Sequence, residues 1–122
     1  MMQEAVRKRA LVVDDEEMVR EIVVWALEDM GFDVVGASSG DQAFDLLGRD
    51  AIDLLLTDIR MPGGIDGWTL AEKARAVMPD LPVIYVSGYS HEPPRMTKGS
   101  VFVQKPLRTE TLRQAIEDLG VL

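Results

Sequence analysis

Asp14, Asp15, Asp58, Ser87 and Lys105 are the residues of this sequence whose types and placement suit phosphoryl chemistry. Asp14 and Asp15 follow the apolar run Ala10-Leu11-Val12-Val13, and Asp58 follows Leu54-Leu55-Leu56-Thr57. Ser87 follows Val83-Ile84-Tyr85-Val86, and Lys105 follows Val101-Phe102-Val103-Gln104. Carboxylates brought together repel, which raises at least one carboxyl pKa unless a cation neutralises them. Oxygen donors, in a chain with no cysteine and with a single histidine (His91) far along the sequence, suit a hard divalent ion. Mg²⁺ or Mn²⁺ is the expected kind. A carboxylate such as Asp58 can attack phosphorus and hold the phosphoryl group. Such transfer needs positioning and charge neutralisation above all, which an ion and the Lys105 ammonium would supply. The Ser87 hydroxyl could donate to a phosphoryl oxygen. Each residue also has a plainer reading: a helix cap for Asp14 or Asp15, a solvated lysine beside a turn proline, a satisfied strand-end hydroxyl. All the plain readings holding together is the weaker explanation.

The elements that must gather these residues are legible from period and punctuation. Strand-like runs cover Ala10 to Val13, Phe32 to Ala37, Ile52 to Thr57, the residues after Pro82, and Val101 to Gln104. Between them lie helical patterns. Glu17 to Met30 carries Val19, Ile22, Val23, Ala26, Leu27 and Met30 on one face, with Trp25 near that stripe as packing. Gly31 stops it. Ser39-Gly40-Asp41-Gln42 has capping-box form before Ala43, Leu46 and Leu47. Asp66 can cap a third helix in which Leu70, Ala71, Ala74, Val77 and Met78 recur at helical spacing. Thr109 can cap a last helix with Leu112, Ala115, Ile116 and Leu119 inward. Near-continuous apolar strands imply a parallel sheet buried on both faces, hence a doubly wound α/β sandwich. In such sheets ligands bind at the carboxyl ends of the strands, where the candidate residues stand. Between Gly88 and Gly99 the pattern fails. The sizeable apolar residues are Tyr89 and Met96, and Pro93-Pro94 disfavours helix. The fourth helix is expected to be short or absent.

The bulk properties narrow the function class. The chain has 122 residues and a net charge of −8, with 47% hydrophobic and 28% charged residues. That is the composition of one soluble globular domain, residues 1–122 with a core over about 9–119. No output domain is expected after the last helix. An acidic chain repels phosphate backbones, so nucleic acid is not an expected partner. No apolar run is long enough to span a membrane, and Met1 to Arg9 does not resemble a signal peptide. A cytoplasmic location is expected.

The ordered set Asp14-Asp15, Asp58, Met61-Pro62, Asp66-Gly67, Ser87-Gly88 and Lys105-Pro106 resembles the receiver domain of two-component response regulators, over about Arg9 to Leu119. The resemblance implies a flavodoxin-like sheet of order 2-1-3-4-5. It implies that Asp58 accepts a phosphoryl group from a sensor histidine kinase or a histidine phosphotransfer protein. It further implies that Asp15 and Asp58 bind Mg²⁺ directly, Asp14 through water, and Arg60 through its backbone carbonyl. Ser87 and Lys105 would hold phosphoryl oxygens. Phe102 would be an aromatic switch moving with Ser87, or ordinary strand packing. The Lys105-Pro106 bond would be cis, as a bond before proline permits. The first helix and the loop after Asp58 would face the kinase, and a downstream target protein is implied but not named.

The sequence departs from the family pattern in two places. The loop Met61 to Gly67 is one residue longer, absorbed by Gly63-Gly64, and Ser87 to Lys105 is shorter. Arg60 and Tyr89 stand where water access to an acyl phosphate is controlled, which would slow its hydrolysis. His91 is assigned no role. Trp68 lies close to Asp58. Other readings remain beside a stand-alone receiver: a receiver from the C-terminus of a hybrid histidine kinase, or a degenerate receiver that only binds partners. An aspartyl-nucleophile phosphohydrolase is disfavoured because Arg60 stands where its second acid belongs. A nucleotide-binding module is disfavoured by the absence of a phosphate-binding glycine fingerprint. A homodimer is left open.

Overall fold

In a computed structural model that describes residues 7–88 and 95–121, the strands form one parallel sheet. The elements run β1 (Arg9–Val13), α1 (Glu17–Asp29), β2 (Asp33–Ala37), α2 (Gly40–Leu47), β3 (Leu54–Asp58), α3 (Gly67–Val77), β4 (Val83–Ser87), β5 (Val101–Gln104) and α4 (Thr109–Asp118). The strand order is β2-β1-β3-β4-β5, as expected. The central strands β1, β3 and β4 are buried almost throughout. Their period of two divides the core into two layers. Leu11, Val13, Leu55, Val83 and Tyr85 meet Ala43 and Leu47 of α2 and Trp68, Leu70, Ala71 and Ala74 of α3. Ala10, Val12, Leu54, Leu56, Ile84 and Val86 meet Val23 and Leu27 of α1 and Leu112, Ala115 and Ile116 of α4.

Helix ends follow the local chemistry in most places. The Ser39 side chain accepts from the Gln42 amide at 3.1 Å, and Asp66 Oδ1 accepts from the Thr69 amide at 2.8 Å. Each such cap is worth about 1 kcal/mol. Gln42 reaches back one residue further than the capping-box form requires, to the amide of Ser38 at 2.8 Å. Thr109 is the first helical residue and not the cap, because the extended residue before α4 is Arg108, which makes no side-chain cap bond. The inward face of α1 is narrower than its apolar pattern. Val23 and Leu27 are buried, whereas Ile22 is 56% and Trp25 61% exposed, so neither packs on the sheet. At about 100° per residue Trp25 lies on the far side of the helix from Val23, and Ile22 lies a quarter turn away.

No helix is present among the described residues between β4 and β5, consistent with the expected short or absent fourth helix. Residues 89–94, including Tyr89 and His91, lie outside the described residues. Residues 95–100 are instead tied down by polar bonds. The Thr97 amide donates to Tyr85 Oη at 3.1 Å, and the two hydroxyls are 3.2 Å apart. The Arg75 guanidinium donates to the carbonyls of Leu81, Pro79 and Lys98. Arg95 pairs with Glu72 of α3 at 2.9 Å. The buried Tyr85 ring packs on Trp68 with centroids 4.7 Å apart, so its hydroxyl is held where Thr97 meets it.

Tyr85→Phe keeps the ring and removes only the hydroxyl that Thr97 uses. The expected cost is about 1–2 kcal/mol, read as a lower urea midpoint with the slope unchanged. An unchanged midpoint would show that water replaces the lost acceptor.

Candidate functional site

The parallel ladders continue one residue beyond several strand ends, and this brings the candidate residues to one rim. The Asp14 amide donates to the Ala37 carbonyl at 3.1 Å, that of Ile59 to Val86 at 3.1 Å, and that of Lys105 to Ser87 at 2.8 Å. Asp58 is the last residue of β3 and Ser87 the last of β4, with Ser87 in register with Gln104. The Lys105–Pro106 bond is cis. Carboxylate oxygens of Asp14, Asp15 and Asp58 lie within 4.8 Å of one another. Lys105 Nζ stands 3.1 Å from Asp14 Oδ2 and 3.4 Å from Asp58 Oδ2. Asp14, Asp58 and Ser87 are buried, while Asp15 is exposed.

Asp14 is not a helix cap. The residue before α1 is Glu16, with no side-chain cap, and Asp14 Oδ1 accepts from the Glu16 amide at 2.9 Å instead. The Asp58 carboxyl is pushed up from 3.8 to about 6. The first cause is desolvation by burial, the attraction of Lys105 opposes it, and the repulsion of Asp14 adds to it. Repulsion between acids, the cause expected from the sequence, is therefore the lesser of the two raising effects. Burial pulls the Lys105 ammonium down, but its hydrogen bond to Asp14 and the attraction of Asp58 outweigh that and hold it above its ordinary 10.5.

The acidic cluster has the chemistry of a metal site. Three converging carboxylates offer oxygen donors only, one of them solvent-facing where a hydrated ion could enter. A cation there would offset the repulsion between the acids, which Lys105 opposes. Arg60 is exposed, immediately past the buried Ile59. Phe102 is partly buried, in register with Tyr85, and packs against the α2–α3 layer of the core. Trp68 is buried at the start of α3.

Two residues of the rim were not singled out as site residues from the sequence. Gly67 donates its amide to the Ile59 carbonyl at 2.8 Å, and a Cβ there would collide with the Asp58 carbonyl oxygen. Its glycine lets α3 start directly against the end of β3. Arg20 of α1 donates from Nη1 to the Asp14 carbonyl at 2.8 Å. Its charge, little more than a turn beyond the acid pair, was visible, but nothing in its spacing told a backbone contact from solvation.

Known proteins resemble this chain in sequence and fold. Residues 10–117 match the family profile described as the response regulator receiver domain. The response regulator receiver protein CpdR of Brucella abortus (strain 2308) is 37% identical over 83 residues, 68% of each chain. A response regulator receiver protein from Sinorhizobium medicae WSM419 superposes with a TM-score of 0.87 at 33% identity, covering 93% of this chain and 94% of that one. The receiver domain of the hybrid histidine kinase CckA superposes with a TM-score of 0.79 at 36% identity, covering 91% and 97%. The chain spans 12% to 48% of the length of the transcriptional regulators and sensor kinases it also matches.

The raised Asp58 pKa has a sign that stability measurements can read. Between 3.8 and about 6 the folded chain holds a proton that the unfolded chain releases, so stability contributed by this group falls as pH rises through that window. In metal-free buffer Asp58→Asn should therefore gain stability relative to wild type above pH about 6 and lose that advantage below about 4. Urea midpoints across this range check it; a constant difference at every pH would contradict the raised pKa.

Proposed function

Because this chain belongs to the response regulator receiver family, we propose that Asp58 accepts a phosphoryl group from the phosphohistidine of a sensor histidine kinase or histidine phosphotransfer protein, and that the resulting change controls binding of a downstream protein. The observation that carries this is the buried Asp58 carboxylate, gathered with two other acids and 3.4 Å from an ammonium. An Asp58 carboxylate oxygen attacks phosphorus, the bond from phosphorus to the donor's imidazole nitrogen breaks, and the imidazole keeps that electron pair. Mg²⁺ or Mn²⁺, when bound, supplies the positive charge that lets phosphoryl oxygens approach the carboxylates. Asp15 and Asp58 would hold it directly, Asp14 through water, and Arg60 through its carbonyl oxygen. Lys105 releases its hold on Asp58 to meet a phosphoryl oxygen, and Ser87 donates its hydroxyl to another. Phe102, on the strand beside Ser87, would follow that movement.

The protein is a signalling phosphoacceptor domain and not a conventional enzyme. Its own share of catalysis would be phosphorylation and slow dephosphorylation of Asp58, with exposed Arg60 hindering water; Tyr89, the other residue expected to do so, lies outside the described residues. No helix among the described residues is long and apolar enough to cross a membrane, and the acidic charge argues against nucleic acid as partner. The cytoplasm is the location this reading assigns, since that is where such kinases hold their phosphohistidine. The likeness to the CckA receiver favours, as a second reading, a domain belonging to a larger hybrid kinase. A degenerate receiver is disfavoured, since the acids, Ser87 and Lys105 are all gathered at the rim.

Intact mass after incubation with acetyl phosphate tests the chemistry. The expected result is a Mg²⁺-dependent gain of one phosphoryl group that Asp58→Asn does not show. Lys105→Met should slow the gain by about 100-fold, the cost of removing one charged donor to the transferring group. Phosphorylation undiminished in Asp58→Asn would overturn the assignment.

A further inference from the structure

We propose that Arg20 is a positioning residue for the metal ligands: it fixes the peptide between Asp14 and Asp15 and so sets where the Asp15 carboxylate points. This rests on the metal reading above. Asp14 is held on every polar atom. Its amide donates to Ala37, its Oδ1 accepts from the Glu16 amide, and its Oδ2 accepts from Lys105. Its carbonyl accepts from Arg20 Nη1 at 2.8 Å. The peptide unit is planar, so fixing the direction of that carbonyl fixes the plane in which the Asp15 Cα lies. Asp15 is exposed, so core packing does not orient it; the backbone before it must.

A second feature, in a different element, points to the same residue. Gly36 sits inside the edge strand β2, where glycine costs strand stability. Its φ is not in the left-handed region, so the backbone does not require glycine there. A Cβ at that position would stand 3.4 Å from Arg20 Cδ and 3.6 Å from Nε. The Arg20 stem runs alongside position 36, in contact range of a side chain placed there. A Cβ alone would fit in ordinary contact with that stem, and a branched side chain would crowd the path of the guanidinium to the Asp14 carbonyl.

Charge alone would act in the opposite direction. Arg20 is a fixed cation at the Asp14 carbonyl, and a cation beside a metal site competes with a divalent ion, so removing it would tighten metal binding. Positioning predicts weaker binding, and predicts that lysine cannot substitute, because an ammonium lacks the planar fork that reaches over Gly36.

The test is Mn²⁺ binding, followed by the electron paramagnetic resonance signal of the free ion, with the metal-free thermal midpoint recorded beside it. Wild type should bind one ion and Asp58→Asn should lose it. Arg20→Lys and Arg20→Met should each bind about 10-fold more weakly, as expected when a group orienting a ligand is lost. Gly36→Val, which pushes on the Arg20 stem while adding a strand-favouring residue, should weaken binding without lowering the midpoint. It decides the matter if the Arg20 variants do not fold. Arg20→Met binding as tightly as wild type or tighter, or Arg20→Lys matching wild type, overturns the inference. A wild-type chain that binds no Mn²⁺ overturns the metal reading and this inference with it.

Discussion

The structure of the rim depends on one charge balance. Lys105 stands against Asp14 and Asp58, and these residues come from the ends of different strands. Two of the three acids are buried, where an uncompensated carboxylate costs several kcal/mol. The ammonium reaches both and is itself held charged by them. The balance is incomplete: one ammonium faces three carboxylates, and Asp58 rises to about 6. Under the proposed function, a divalent ion and a phosphoryl group would enter such a site as a pair. The strand order supplies the geometry, since β1, β3 and β4 are adjacent and β5 closes the edge beside Ser87.

Much of this was legible because the sheet is buried on both faces. Continuous apolar runs such as Leu54-Leu55-Leu56 have few other places to lie, and several of them lead to a residue of the rim. Caps at Ser39 and Asp66 were readable for the same local reason, a short polar side chain at the helix start. What was not legible depends on neighbours distant in sequence. Ile22 belongs to the apolar pattern of α1 yet faces out, because an outer helix touches the sheet along a single line. Desolvation, which dominates the Asp58 pKa, follows from tertiary burial and not from the adjacency of acids. The Arg20 contact with Asp14 required knowing that β2 passes beside α1; Gly36 carried the signal, as an interior strand glycine marking a close approach.

Residues 95–100, before β5, show how polar bonds hold a segment in place. Residues 95–100 form no helix, so their polar backbone needs partners from outside. Arg75 takes the Lys98 carbonyl, and Tyr85 takes the Thr97 amide. Both donors and acceptors sit on α3 and β4, elements that also build the rim: Gly67 abuts the end of β3, and Ser87 ends the strand that carries Tyr85.

Side chains two apart on a strand share a face, so Tyr85 and Ser87 point to the same layer. Trp68 braces the Tyr85 ring from the first turn of α3, one residue after the glycine packed on Asp58. The tether of residues 95–100 is thus assembled from the immediate neighbours of Asp58 and Ser87. Phe102, in register with Tyr85 on the adjoining strand, lies against the same core layer. Residues 95–100 are thus joined to the rim through Thr97, Tyr85 and Trp68.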